Sequence, residues 1–109
     1  MAVGDAPVME AIIDINAVSL DRTELDPRSL VLVRLAALAA VDAPVMSYLA
    51  HVGEAVEAGL TAADAEDVLV AIAPIVGAPR TASAAAKIGE ALGLAIALAQ
   101  EDAESAKDD

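Results

Sequence analysis

Apolar residues recur along the chain every three or four positions, and capping residues bracket nearly every such run, which predicts helices throughout. Asp5 is placed to cap a first helix with Pro7 in its opening turn, and Met9, Ile12 and Ile13 form its stripe. That helix should end near Leu20, before Asp21-Arg22-Thr23-Glu24. Asp26-Pro27 starts a second helix reaching about Val41, with Leu30, Val31, Leu32, Val33, Leu35 and Leu38 around most of its circumference. Such a helix is central, covered on several sides. Asp42 is read as the cap of a third helix, with Pro44 in its first turn and Gly59 as its left-handed terminator. Thr61 and Asp64 make a capping box for a fourth helix, in which Pro74 predicts a kink or an early end. Gly77-Ala78-Pro79 breaks the chain, and Thr81 starts an Ala-rich fifth helix through about Gln100. Its small residues, Ala84 to Gly93, leave a face that another helix can approach closely.

No stretch has the period of a strand. The expected fold is therefore all-α, one helical bundle of about five helices over residues 1–100, followed by an acidic tail at 101–109 read as disordered.

Composition changes this picture in one respect. The chain has 109 residues, of which 58% are apolar, and a domain this small cannot hide so much apolar side chain within itself. A membrane or a partner subunit has to cover the rest. Arg34 and Glu90 interrupt the longest apolar runs, which argues against a spanning helix. Asp5 and Glu10 stand where a secretory signal would be cationic, so the expectation is a cytoplasmic homo-oligomer. The net charge of −12, with only six scattered Lys and Arg, argues against nucleic acid and anionic membranes as partners. Cysteine is absent, which excludes disulfides and thiol chemistry. With His51 the single histidine, no metal site and no cofactor are expected.

Three stretches in order resemble a known family. They are Leu25-Asp26-Pro27-Arg28 with Leu32-Val33-Arg34-Leu35-Ala36; His51 with Ala55 and Ala58-Gly59-Leu60-Thr61; and Asp67-Val68-Leu69 with Ile72-Ala73 and Gly77-Ala78-Pro79-Arg80. Over residues 25–91 the chain resembles the carboxymuconolactone decarboxylase family, which includes the alkylhydroperoxidase D-like proteins. The resemblance implies an all-α fold assembled as a trimer or a hexamer. Peroxidase-type members carry a Cys-x-x-Cys pair and a glutamate, which align here with Pro44, Ser47 and about Val31, so that machinery is missing. Decarboxylase-type members keep the histidine, which aligns with His51.

His51 is thus the foremost candidate, able to pass protons near neutral pH. Ser47 at i−4, Tyr48 at i−3 and Glu54 at i+3 share its side of the helix. Ser47 and Glu54 are weaker catalytic candidates, and Tyr48 a weaker wall for a pocket. The alternative for His51 is a structural, hydrogen-bonded histidine. Arg34 and Arg80 could hold a carboxylate on a small acidic ligand; otherwise Arg34 forms an interhelical ion pair and Arg80 offsets helix-end charge. Two functions follow. One is a non-catalytic oligomeric binding or scaffold subunit without thiol peroxidase activity. The other is a cofactor-independent decarboxylase or lyase acting on a small carboxylated lactone, with His51 as general acid/base.

Overall fold

The computed structural model describes the backbone of residues 2–108 and the side chains of residues 6–105. It contains α1 (Ala2–Arg22), α2 (Pro27–Ala40), α3 (Val45–Glu57), α4 (Ala62–Val76) and α5 (Ala78–Asp108), and no strand among the described residues. The all-α architecture is as the apolar periodicity predicts. α2 and α5 touch each other, and both also pack on α3 and α4, so they form the central pair of a four-helix arrangement. The buried core is made of small residues and a single ring: Ala39, Ala43 and Ala84 sit with Ala91, Leu69 and Tyr48. Ala39 and Ala84 are fully buried, which lets the backbones of α2 and α5 come close.

Several local expectations are met by specific bonds. Asp26 caps α2 by accepting from the Ser29 backbone N–H at 2.9 Å, with Pro27 at the first helical position. The Thr61 hydroxyl accepts from the Asp64 N–H, and the Asp64 carboxylate accepts from the Thr61 N–H at 2.8 Å, closing the capping box of α4. Gly59 sits at φ 79° after α3. The Leu60 and Gly59 N–H groups bond back to the carbonyls of Ala55 and Val56, the paired bonds of a Schellman turn.

Asp42 departs from expectation. It does not cap α3, which begins at Val45 behind Pro44. Asp42 instead ends α2, at φ 53°, with the Asp42 and Ala43 N–H groups bonded to the Ala39 and Leu38 carbonyls. Short polar side chains tolerate this left-handed position, which is why an aspartate can replace the usual glycine there. Its carboxylate reaches α5, accepting from the Ser83 hydroxyl at 2.8 Å and from Lys87 Nζ at 3.0 Å.

Helix limits differ as well. α1 already begins at Ala2, so Asp5 lies within the helix; the Asp5 side chain is outside the described residues. Pro74 does not end α4, which continues to Val76 and stops at Gly77, φ 95°. Pro74 and Val70, whose carbonyl loses its donor, are both exposed, so water can serve that carbonyl. α5 starts at Ala78 rather than Thr81, because Pro79 fits a first turn; Thr81 donates its hydroxyl back to the Gly77 carbonyl at 2.8 Å. It also runs past Gln100 to Asp108, through a polar stretch that contains neither Gly nor Pro. By length and composition alone α5 could cross a membrane, although Ala84 and Ala91 are packed in the core.

α1 stands apart. Among the described residues it packs against none of the other helices. Its stripe is exposed: Met9, Ile12, Ile13 and also Val8, Ile15 and Val18 face outward. Arg34 of α2 links it to the bundle, donating from Nη1 to Asn16 Oδ1 at 2.7 Å and from Nη2 to Ser19 Oγ at 3.1 Å.

Candidate functional site

A half-open cavity of about 110 Å³ lies where α2, α3 and α5 meet the start of α4. Val31, Leu35 and Leu38 of α2 form one wall, Tyr48, His51 and Val52 of α3 a second, and Ile88 and Leu92 of α5 a third. Helical spacing produces this arrangement. Tyr48, His51, Val52 and Ala55 fall on one face of α3, and the same holds for Val31, Leu35 and Leu38 on α2.

His51 is half-buried, and its Nδ1 lies 2.9 Å from the Ser47 backbone carbonyl. A carbonyl only accepts, so Nδ1 carries the proton in the neutral ring. Nε2 is then an acceptor with no partner among the described residues. Ser47 therefore fixes the tautomer through its main chain, not its hydroxyl. Glu54 takes no part in this, since its Oε2 lies 3.6 Å from Arg34 Nη1. No Ser-His-Glu relay is assembled.

The Tyr48 ring walls the cavity, but its hydroxyl does not serve it. Tyr48 is 4% exposed, and the hydroxyl is sealed from solvent with no hydrogen-bond partner among the described residues. Burial raises the phenol above its ordinary 10.0, and the Asp42 charge adds to this, so the group is neutral. Thr61 also lines the cavity, with its hydroxyl engaged by Asp64. Among the side chains lining the cavity, His51 is thus the one whose polar group keeps an atom, Nε2, without a partner among the described residues.

Neither arginine lines the cavity. Arg34 is occupied by Asn16, Ser19 and Glu54, its side chain only 15% exposed. Arg80 donates from Nη1 to the Ala40 carbonyl at 2.6 Å and so finishes the C-terminus of α2. Arg34 thus makes an interhelical ion pair with Glu54, and Arg80 a bond to a helix end. Among the described residues no three His, Asp or Glu side chains converge as a metal site would need. Val31 was missed as a site residue in its own right. The signal was available, because the family's glutamate aligns there, and the structure makes Val31 part of the cavity wall facing the same space as His51.

A five-helix, cysteine-free chain with a histidine-walled apolar cavity between its helices defines the class of protein. The model of the carboxymuconolactone decarboxylase family matches residues 6–91, and the chain belongs to that family. The match takes in most of α1, upstream of the residues that carried the resemblance. No curated protein and no solved structure matches the chain.

Proposed function

We propose that the protein is a non-catalytic, oligomeric binding subunit whose cavity holds a small, largely apolar molecule. The observation that carries this is the wall itself: where the family alignment expects a proton-relaying glutamate there is Val31, and no cation lines the space. An apolar cavity of about 150 Å³ is known to take up benzene, so a space of about 110 Å³ suits a five- or six-membered ring. Oligomerisation is supported by the exposed stripe of α1 and by Val70 and Ile75 on α4, the latter 88% exposed. We place the protein in the cytoplasm as a soluble assembly with no membrane or nucleic-acid partner, reading the exposed apolar residues of α5, Leu94, Ile96 and Leu98, as covered by other copies of the chain. No thiol peroxidase activity is proposed, since the route needs a thiolate that the chain does not encode; hydroperoxide consumption by metal-free protein would contradict this.

Titration with benzene, followed by methyl NMR of Val31, Leu35 and Leu92, tests the cavity. Saturable shifts confined to its walls are expected, and unchanged spectra would remove the reading.

A second reading is favoured by the free Nε2 of His51. It is a cofactor-independent decarboxylase or lyase that uses this atom for proton transfer on a small carboxylated lactone. Carbon dioxide release from such a lactone, lost in His51→Asn, would establish it; no release above the rate in buffer would dismiss it. The absence of Arg34 and Arg80 from the lining weighs against a carboxylated ligand.

A further inference from the structure

We infer that the cavity selects a small neutral ring compound bearing a hydroxyl group, whose proton is donated to Nε2 of His51. This rests on the proposed binding role of the cavity and adds the chemistry of its ligand.

Three features of the site lead there. The first is the tautomer. The Ser47 carbonyl has two lone pairs, so it can take the His51 ring N–H as well as a helical backbone bond. That contact at 2.9 Å fixes the proton on Nδ1, and the ring offers the cavity an acceptor, not a donor.

The second feature is what the wall lacks. The Tyr48 hydroxyl is sealed away, and the Thr61 hydroxyl is occupied by Asp64. The side chains of the wall therefore offer a ligand carbonyl or ether oxygen no free donor to replace its water contacts. A ligand hydroxyl keeps one good bond, to Nε2. A carboxylate fares worst, because no arginine or lysine lines the cavity and its apolar side chains cannot solvate the charge.

The third feature is size. About 110 Å³ holds one ring, and one polar atom on the wall matches one polar group on that ring.

Competitive binding of cyclohexanol, cyclohexanone and cyclohexanecarboxylate to the full-length protein, read by methyl NMR, tests the inference. The first two differ little in size but only the alcohol can donate. Cyclohexanol should bind about fivefold more tightly than cyclohexanone, the worth of one net neutral hydrogen bond, with the carboxylate weaker than both. His51→Leu should erase the difference between alcohol and ketone while both still bind. His51→Gln, whose amide can both accept from the alcohol and donate to the ketone, should also narrow the difference. If His51→Leu does not fold, the wild-type ranking and the glutamine variant decide. Equal affinities, a preference for the ketone, or a preference that persists in His51→Leu would overturn the inference. Benzene separates the two levels: if it binds while the alcohol has no advantage, only the ligand chemistry is wrong. If benzene does not bind, the cavity reading itself falls.

Discussion

Tyr48 carries an unusual burden for one side chain, as the only aromatic residue and the largest member of the buried core. Its ring closes the cavity, while its hydroxyl is buried without a partner. An unsatisfied buried hydroxyl costs about 1–3 kcal/mol, so removing the oxygen relieves a penalty. Tyr48→Phe is accordingly expected to leave stability unchanged or raise it by about 1 kcal/mol, measured by urea unfolding. A loss of 1 kcal/mol or more would mean the hydroxyl has a partner in the native assembly. Tyr48→Ala, which empties the centre of the core, should instead cost about 3–5 kcal/mol. The sequence marked Tyr48 as pocket-lining or core, and it is both. Helical spacing placed the ring beside His51, but it could not say where the hydroxyl ends. The sequence singles out His51 as the foremost candidate, and the structure places it on the cavity wall. Its tautomer was not legible, because the Ser47 carbonyl that sets it carries no side-chain signal.

The helices were read most accurately where local chemistry decides the boundary. Asp26-Pro27, Thr61 with Asp64, and Gly59 each act within four residues of chain, and each behaves as its composition dictates. Asp42 was misread because an aspartate before a helix normally caps it. Here tertiary partners on α5, Ser83 and Lys87, hold the side chain in another role. These partners have a measurable consequence. The bond from Lys87, then that from Ser83, lowers the Asp42 carboxyl below its ordinary 3.8. A carboxyl with a lower value in the folded state stabilises the fold above its unfolded value. That contribution fades as pH falls below about 4 and through the folded value. Asp42→Asn should therefore flatten the loss of stability in that acid range, as followed by thermal melts. An identical acid profile in the variant would show that the α2–α5 link contributes nothing. The exposure of α1 was beyond sequence reading for a different reason. Periodicity shows that Met9, Ile12 and Ile13 share a face, but nothing local says what covers it.

At the scale of the whole molecule the core is thin. Among the described residues seven apolar ones are buried, four of them alanines, in a chain that is 58% apolar. Others, such as Leu35, Leu49 and Ile72, are partly buried against them, but many face outward, on α1, on α4 at Val70 and Ile75, and along the far half of α5 at Leu94, Ile96 and Leu98. An isolated surface helix with β-branched residues and an internal proline is only marginally stable in water, so α1 has most to gain from a covering subunit. Composition alone pointed to this excess, and the fold locates it. Covering it by copies of the same chain also explains the net charge of −12, which would keep such an assembly soluble. The central claim is that the native protein is an oligomeric binding subunit, so its mass in solution is the most direct test. Multi-angle light scattering at about 10 μM, where an obligate subunit interface is saturated, should return at least three times the 10.9 kDa of one chain. A clean monomer at that concentration, with α1 still helical, would contradict the account.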